Sequence, residues 1–366
     1  MKKKILFLIH LSPPIHGASI MGNYIYESKK INNEYNCQFV NFSASNRIDE
    51  VGHINYSKIF FLLKSFFRIA YMVFKFKPDL CYLTPTSDGW AFYRDFIIIQ
   101  FMKLFKLKII LHFHNKASHK WGKEWYNKLL LKYYYKEVKV VLLGNQVYLE
   151  KSKYVSEENV FYCPNAVISK SQIKTQSPII SKKIKFLFVS NMMKTKGVYV
   201  LLKACQILKE RCFEFQCDFV GAWKDVKRED FVQRIEEYNL VDEVFFHGEK
   251  YNDEKDMYFA SADVFVFPTY YHSEVFSLVL LEAMDFSLPC ISTNNGAIES
   301  IIVDGITGFC VAQENVETLA EKMIWMIENP EKRLEMGLLS KKRFDENFTF
   351  NHFENNLFNI VKDCLK

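Results

Sequence analysis

Residues 267–284, FPTYYHSEVFSLVLLEAM, lead from a short apolar segment through a polar loop into a longer apolar segment. We predict a strand that ends at Pro268, a loop that presents Glu274, and a helix that starts near Ser277. A strand followed by a loop and a helix is the repeating unit of α/β folds with parallel sheets. The stretch therefore predicts an α/β fold.

The same stretch carries a candidate anion site. The start of the helix leaves N–H groups of Phe276, Ser277 and Leu278 beside the loop, where the helix dipole also favours negative charge. Glu274 and Glu282 lie eight residues apart, which suits a ligand whose diphosphate is flanked by two polyhydroxylated groups. The alternative is that Glu274 only caps the helix and Glu282 lies on its solvated face.

Apolar runs alternate with helical stretches along the whole chain, as is typical of α/β folds. The predicted strands are 4–11, 79–83, 108–113, 138–142, 160–162, 184–189, 216–220, 243–246, 264–267, 289–292 and 308–311. The predicted helices are one from Ser19 and those at 58–76, 91–105, 197–209, 228–238, 278–285, 315–327, 330–345 and 348–365. The polar stretch 169–183 indicates a linker between two α/β domains, 1–170 and 171–347, with the site between them.

Length and composition agree with two globular domains. The chain has 366 residues, of which 49% are hydrophobic and 25% charged, and this excludes disordered, collagen-like and disulfide-scaffold classes. Residues 1–170 carry 25 Lys and Arg against 12 Asp and Glu, a net charge of +13, while the remainder carries −7. A basic first half predicts an anionic partner, although two independently solvated surfaces would give the same split.

Three features predict a cytoplasmic protein without a spanning helix. The nine cysteines are an odd number without a CxxC pair, which fits reduced thiols. Residues 1–14, MKKKILFLIHLSPP, resemble a signal peptide, but His10 interrupts the apolar run and no small-residue cleavage site follows, so we predict a strand. No run of about 20 uninterrupted apolar residues occurs.

Two further loops follow predicted strands. Residues 190–197, SNMMKTKG, place Lys196 at the mouth of a helix, where it would add a point charge for phosphate. Residues 12–19, SPPIHGAS, contain Gly17 and Ala18, which would let a ligand approach the backbone closely. Both are equally compatible with ordinary loops of the fold, and the GxGxxG and GxxxxGK[ST] motifs are missing.

Two histidines end the strand at 108–113, in the sequence LHFHN. His112 and His114 are two residues apart and so share a face of the strand. A metal site would need a third ligand, for which His119 is the one candidate, so we favour a single histidine as a polar or acid/base group.

Together these residues resemble the donor site of retaining GT-B glycosyltransferases of family 4, the group 1 glycosyltransferases. The most specific segment is 267–311, with EVFSLVLLEAM followed by LPCISTNNGAIESIIVDGITGFCV. The resemblance extends to PPIHGAS, FKPDLCYL, LHFHN, CPNAV and VSNMMKTKG, and so over nearly the whole chain. It implies two Rossmann-like domains with a deep cleft between them, and a C-terminal helix, 348–366, that crosses back to the first domain.

By this resemblance the second domain binds a nucleotide-diphosphate-sugar (UDP-sugar favoured, GDP-sugar the alternative) and the first domain binds the acceptor. Glu274 is expected on the donor sugar hydroxyls, Glu282 on the ribose and Lys196 on the diphosphate. Backbone contacts are expected at Phe276, Ser277 and Leu278 for the diphosphate or sugar and at His247, Gly248 and Glu249 for the base.

In the first domain, His114 matches the family's histidine near the anomeric centre, so His114 and Glu274 are the expected catalytic residues. Gly17, with His16 and Ala18 beside it, matches the loop that contacts phosphate. The implied reaction is retaining transfer to a lipid-linked or polysaccharide acceptor in the biosynthesis of bacterial O-antigen, capsule or exopolysaccharide. No cofactor and no metal ion are implied.

The sequence departs from the family at two positions. Asn191 stands where the family often has Arg, which removes one positive charge unless Lys194 turns inward, and Val275 stands where Gly or Ala is common. The first departure supports a second hypothesis, a non-catalytic sugar-nucleotide or carbohydrate-binding subunit.

Two other partners were weighed. A nucleic-acid binder lacks any recognised signature, so we expect none. In the stretch 58–76, Lys58, Lys64, Arg68 and Lys75 interrupt aromatic residues at near-helical spacing. This pattern predicts either an interfacial helix on the inner face of the cytoplasmic membrane or a core helix with one solvated stripe.

Overall fold

The computed structural model describes residues 1–14, 16–42, 56–86, 89–116, 125–170 and 183–366. Most of the predicted linker lies outside these ranges, as do His119 and, in the loop 12–19, Ile15. The chain divides into two compact units. Unit 1 comprises Met1–Asn165 and Phe350–Lys366, and unit 2 comprises Ala166–Thr349.

Unit 1 is built on one parallel sheet. Its strands are β1 (Lys4–Ile9), β2 (Asn36–Asn41), β3 (Leu80–Leu83), β4 (Lys108–His112), β5 (Lys139–Leu142) and β6 (Val160–Tyr162), in the order β2-β1-β3-β4-β5-β6. Its helices are α1 (Gly17–Glu27), α2 (Lys29–Glu34), α3 (Tyr56–Phe76), α4 (Gly89–Leu104), α5 (Trp125–Tyr135), α6 (Tyr148–Lys151) and, at the end of the chain, α14 (Phe350–Leu365).

The helices of unit 1 cover both faces of its sheet. Because the connections β2 to β3, β3 to β4 and β4 to β5 all step in the same direction, right-handed crossovers place α3, α4 and α5 on one face. In agreement, α4 contacts both α3 and α5. The connection from β1 to β2 steps the other way, so α1 lies on the opposite face. There α14 contacts α1, and the Tyr24 and Phe350 rings lie 5.2 Å apart.

Unit 2 contains a second parallel sheet. Its strands are β7 (Ile184–Val189), β8 (Phe215–Val220), β9 (Val244–Phe246), β10 (Val264–Phe267), β11 (Cys290–Thr293) and β12 (Gly308–Val311), in the order β12-β11-β10-β7-β8-β9. Its helices are α7 (Val198–Glu210), α8 (Arg228–Glu237), α9 (Asn252–Ser261), α10 (Leu278–Asp285), α11 (Ile298–Ile301), α12 (Val316–Glu328) and α13 (Pro330–Asn347).

The predicted α/β class is confirmed. The strands β3, β10 and β11 are buried at every residue, as expected for parallel sheets with helices on both faces. Continuous apolar runs mark such strands, so their predicted bounds agree with the structure to within one residue. Six elements were missed: β2, an edge strand with one buried residue, and the helices α2, α5, α6, α9 and α11.

The start of unit 2 is held by a buried carboxylate. Asp285, at the end of α10, is 1% exposed and accepts hydrogen bonds from Ser169 Oγ at 2.7 Å and Lys170 N at 2.6 Å. Lys341 Nζ lies 3.2 Å from the same carboxylate. These contacts explain why residues 166–170 lie with unit 2, whereas the sequence suggested residue 170 as the limit.

The cysteines of both units are unpaired. All nine lie in the described ranges as free thiols, so the expected absence of a disulfide framework agrees with the structure. Cys81, Cys163 and Cys290 are fully buried in the cores of the two sheets. Burial raises the pKa of the Cys81 thiol to about 12, so this side chain acts as a small apolar core residue.

Candidate functional site

The candidate site of unit 2 lies where its strand order reverses. β7 and β10 are neighbours, and the chain leaves β7 toward β8 on one side and leaves β10 toward β11 on the other. At such a switch point the two loops diverge and leave a crevice beyond the carboxyl ends of the strands. The loops 190–197 and 268–277 both begin here, as the sequence predicted.

An ion pair connects these two loops. Lys196 Nζ donates to Glu274 Oε2, and the two side chains are only 16% and 11% exposed. The ammonium group also lies 4.7 Å from the centre of the Tyr271 ring. A half-buried pair with an aromatic neighbour is held in place more firmly than a surface salt bridge, so Lys196 and Glu274 present one fixed charge pair at the crevice.

The position of Lys196 depends on the residue that follows it. Gly197 has φ +89°, and a Cβ atom there would lie 2.2 Å from the carbonyl oxygen of Pro268. The close approach lets Tyr270 N donate to Thr195 O at 2.8 Å, which ties the two loops together along their backbones. Packing of the two loops therefore requires glycine after Lys196, and the same glycine is the N-cap of α7.

The loop that carries Glu274 rests on the turn after β11. Asn295 Nδ2 donates to Tyr271 O at 2.9 Å, and Ala297 N donates to Val275 O at 2.7 Å. Between them Gly296 has φ +64°, and a Cβ atom there would lie 2.5 Å from the carbonyl oxygen of Glu274. Residues 294–297, NNGA, thus hold the Glu274 loop in place through backbone contacts. We did not assign this role from the sequence.

The helix α10 starts beside this loop. Leu278 is its first residue and Ser277 its N-cap, whose side chain makes no capping hydrogen bond. Phe276 precedes the cap and is 5% exposed. Glu274 turns to Lys196 rather than to the helix end, which excludes the alternative that it only caps the helix. Leu280 N of the first turn already donates to Ser277 O at 3.2 Å, so an anion beside Lys196 would meet the amides that precede Leu280.

Glu282 lies one turn further along α10, on the same face as Leu278. Both of its carboxylate oxygens lie 2.8 Å from Lys255 Nζ, which comes from α9. The two side chains are 29% and 22% exposed. Glu282 is therefore a positioned carboxylate and not a freely solvated one.

The loop after β9 contains the residues expected at the base. His247 N donates to Phe219 O at 3.0 Å, and Gly248 O accepts from Gly221 N at 2.9 Å. His247 Nε2 lies 2.7 Å from Asp218 Oδ1. These bonds fix the loop 247–249 to the adjacent strand β8, and Glu249 accepts from the Tyr251 hydroxyl at 2.5 Å.

Asn191, at the position where the family often has Arg, is exposed. Its carbonyl oxygen accepts from Met193 N at 2.8 Å. The side chain of Lys194 is exposed as well, while its backbone N donates to Asp225 Oδ1 at 2.8 Å. Lys194 therefore does not replace the missing guanidinium here, and Lys196 is the cation that faces Glu274.

In unit 1, His16 closes the start of α1. Its Nδ1 accepts from Ser19 N at 3.2 Å, and Ser19 Oγ accepts from His16 N at 2.9 Å. One amide of the first turn of α1, that of Ser19, is therefore already occupied by the histidine cap. Gly17 and Ala18 are the first two residues of α1, directly after this cap.

His114 follows β4, near His16. Its Nδ1 is 3.1 Å from Asn165 Oδ1, which makes Nδ1 the protonated nitrogen and leaves Nε2 as an acceptor. Nε2 is buried and has no hydrogen-bond partner among the described residues. Desolvation by burial lowers the pKa of His114 to about 4, partly offset by the bond to Asn165. His114 is thus a neutral acceptor at neutral pH.

His112 lies beside His114, with the ring centres 4.2 Å apart, so the prediction that they share a face is confirmed. His112 is fully buried, and its Nδ1 lies 2.5 Å from the Tyr82 hydroxyl. Desolvation holds the pKa of His112 well below its ordinary value. His112 is therefore a packed core histidine at the end of β4, and its Nε2, like that of His114, has no hydrogen-bond partner among the described residues. His114 differs from it in that it lies beyond the end of the strand.

Three contacting residues escaped the sequence reasoning. Asn165 was quoted within CPNAV, but its bond to His114 has no sequence signature. Lys255 stands in a polar stretch in which it resembles any surface lysine. Asp218 did carry a signal, because an acidic residue inside the apolar strand β8 needs a partner when buried, and His247 provides it.

Comparison with known proteins finds a family that matches most of unit 2. Residues 169–343, which contain Lys196, Glu274 and Glu282, match the family described as "Glycosyl transferases group 1". The D-inositol 3-phosphate glycosyltransferase of Arthrobacter sp. (strain FB24) is 31% identical over 166 residues, 45% of this chain and 39% of the relative. The capsular polysaccharide biosynthesis glycosyltransferase CapM of Staphylococcus aureus is 27% identical over 166 residues, 44% of this chain and 41% of the relative. The chain thus spans less than half the length of either curated relative.

Solved structures resemble the chain over its whole length. The glycosyltransferase from Rickettsia africae ESF-5 has a TM-score of 0.76 at 20% identity and covers 100% of this chain and 99% of its own. The lipopolysaccharide outer core galactosyltransferase WaaB has a TM-score of 0.73 at 15% identity and covers 99% of each chain. At these identities the likeness shows the fold alone, and it confirms the predicted GT-B fold.

Proposed function

We propose that this chain is a glycosyltransferase that moves a sugar from a nucleotide-diphosphate-sugar to a lipid-linked or polysaccharide acceptor. The observation that carries the proposal is the Lys196–Glu274 pair beside the start of α10. The cation and the helix amides suit a diphosphate, while the carboxylate suits the hydroxyls of a sugar. The match of residues 169–343 to the group 1 family supports the same assignment.

The donor we propose is a UDP-sugar, with a GDP-sugar as the alternative. Glu282 would accept hydrogen bonds from the ribose hydroxyls, and the backbone at 247–249 would contact the base. A structural neighbour, the Anabaena protein HepE, was solved in complex with UDP and glucose (TM-score 0.70, 16% identity, covering 99% of this chain and 100% of its own). That complex supports a uridine nucleotide as the first donor to test.

The proposed reaction is retaining and needs no metal ion. The sugar–phosphate bond breaks through an oxocarbenium-like transition state, and negative charge grows on the leaving diphosphate. Lys196 and the amides of α10 stabilise that charge from fixed positions. The acceptor hydroxyl attacks from the same face and gives its proton to the departing phosphate oxygen.

In unit 1 we assign His114 and the loop at His16, Gly17 and Ala18 to the reacting sugar and the acceptor phosphate. The support for His114 is its buried Nε2, which has no partner in the described part of the chain and would accept a hydrogen bond from a hydroxyl group. We further propose a cytoplasmic enzyme of surface-glycan biosynthesis, because CapM is named for capsular polysaccharide and WaaB for the lipopolysaccharide outer core.

A donor-hydrolysis assay tests the proposal. The protein is incubated with a panel of UDP- and GDP-sugars, and release of the nucleotide diphosphate is measured. We expect slow hydrolysis of at least one donor without acceptor. Binding of a donor with no turnover of any would favour the second candidate, a non-catalytic sugar-nucleotide-binding subunit, for which exposed Asn191 in place of Arg is the supporting observation.

A further inference from the structure

The helices α3, α4 and α5 of unit 1 expose large apolar side chains on their outer surface. Phe74 of α3 is 58% exposed, Leu104 of α4 is 79% exposed, and Tyr133 of α5 is 51% exposed. On each helix such residues recur at the spacing of one face, as Phe67, Tyr71 and Phe74 do on α3. We call this surface of the three helices the outer aromatic face.

The outer aromatic face is continuous across the three helices. The Phe74 ring of α3 meets the Phe105 ring directly after α4, with centres 5.0 Å apart. Between α4 and α5 lies a groove of about 530 Å³ that is lined by Ile97, Leu104 and Tyr133 among others. Isolated exposed apolar residues are ordinary, but a contiguous surface of this kind marks an interaction site.

Basic residues interleave with these apolar ones. Exposed lysines and arginines on or directly after the three helices are Lys64, Arg68, Lys75, Lys77, Lys106, Lys128, Lys132 and Lys136. On the described parts of the same helices and their ends, the one exposed carboxylate is that of Glu137, which pairs with Lys136 at 3.5 Å. The outer aromatic face is therefore strongly positive.

The two predictions made for the stretch 58–76 differ in what the outer stripe of α3 faces. Ser65, Ile69 and Val73 form the buried face of α3, so the helix does pack on the sheet. Its outer stripe is not an ordinary solvated one, because Phe67 and Phe74 alternate there with Arg68 and Lys75. None of the helices in the described part is long and apolar enough to cross a membrane.

We propose that the outer aromatic face binds the surface of a bilayer that contains anionic lipids. Aromatic rings and aliphatic lysine stems would enter the boundary between headgroups and acyl chains, while the ammonium groups meet lipid phosphates. A protein partner fits less well, because lysine is depleted in the centre of protein interfaces. The inference is independent of sugar transfer and involves no residue assigned to donor or acceptor.

Vesicle sedimentation tests this inference. The wild-type protein should sediment with vesicles of equimolar phosphatidylcholine and phosphatidylglycerol, and should stay in solution with phosphatidylcholine alone. Raising the salt concentration should weaken binding, because screening reduces the attraction of lysines to the lipid charge. Absence of binding to the anionic vesicles at low salt would overturn the proposal.

Paired variants locate the surface. Lys128→Glu with Lys132→Glu, and separately Ile97→Glu with Leu104→Glu, should each lower the partition coefficient by about tenfold or more. Two matched controls lie on α13 of unit 2, where the side chains are also exposed. The charge control is Lys332→Glu, and the apolar control combines Leu334→Glu with Leu338→Glu. Both controls should bind vesicles like the wild type. Equal loss in the α13 controls would contradict the proposal. So would loss of a self-associated form in the face variants with unchanged vesicle binding, because that result would assign the surface to a second copy of the chain.

Discussion

Lys196 and Glu274 form an ion pair that joins the loops after β7 and β10 of unit 2. In this state the Glu274 carboxylate is bound to the Lys196 ammonium group, which we assign to the donor diphosphate. A bound diphosphate would share or replace that contact, so donor binding and the position of Glu274 are coupled through Lys196. We therefore expect variants of Lys196 to change mainly nucleotide binding and variants of Glu274 to change mainly turnover.

Replacement of Lys196 should weaken nucleotide binding. Lys196→Met removes the cation from the diphosphate, and a charged hydrogen bond of this kind contributes enough to lower UDP affinity about 10- to 100-fold. Titration calorimetry with UDP measures the change. Lys203→Met, an exposed lysine on the neighbouring helix α7, is the matched control and should bind like the wild type. Unchanged UDP affinity in Lys196→Met would show that Lys196 does not bind the diphosphate.

Glu282 and Lys255 should act together on donor binding. Glu282→Ala should raise the donor KM about 10- to 100-fold with kcat little changed, because its bonds to the ribose exist in ground and transition states alike. Lys255→Met should raise the donor KM less than Glu282→Ala, because it removes only the partner that positions the Glu282 carboxylate. Lys255→Arg should restore the wild-type KM. A fall in kcat with KM unchanged would show that Lys255 and Glu282 do not act on the ribose.

Gly296 should be essential for the loop under Glu274. Gly296→Ala combines a left-handed backbone with a Cβ atom 2.5 Å from the Glu274 carbonyl oxygen, which should cost about 2–4 kcal/mol of stability and lower kcat. Gly305→Ala is the control, because it has φ +73° with no atom within 4 Å, and it should cost about 1 kcal/mol. Urea unfolding measures both. Equal losses would show that the contact with the Glu274 loop is unimportant.

The free energy of unfolding should fall on acidification below about pH 6.5. Burial lowers the pKa of His10 to about 3 and that of His114 to about 4, from an ordinary value of 6.5. The unfolded chain therefore binds more protons within this window, so stability falls as pH falls through it, by up to about 2 kcal/mol per histidine at pH 5. Urea titrations at pH 7.5 and 5 measure the loss, and His114→Asn should reduce it. An equal loss in that variant would contradict the assignment.

The fold could be predicted well because its signals are local. Buried parallel strands are continuous apolar runs, so β7, β10 and β12 were predicted with their observed bounds. The edge strand β2 and the polar helix α9 lack such runs and were missed. Their places are set by pairing with β1 and by packing, and a single sequence does not show these contacts.

The site could be predicted only in part. Lys196, Glu274 and Glu282 stand at loop and helix positions that the sequence reveals. The partners of these residues could not be predicted in the same way. The pairing of Glu282 with Lys255, for example, depends on how α9 packs against α10. The use of His16 as the cap of α1 was missed because histidine is an uncommon N-cap residue.

Turnover and UDP binding in Glu274→Ala, compared with the wild type, test the proposed site most directly. The variant should lose donor turnover by about 100-fold, because the carboxylate holds the sugar for reaction. It should bind UDP at least as tightly as the wild type, since Lys196 is released from its partner, and Glu321→Ala on the exposed side of α12 should change neither value. Wild-type turnover in Glu274→Ala, or loss of UDP binding together with turnover, would contradict the assignment of this ion pair to sugar transfer.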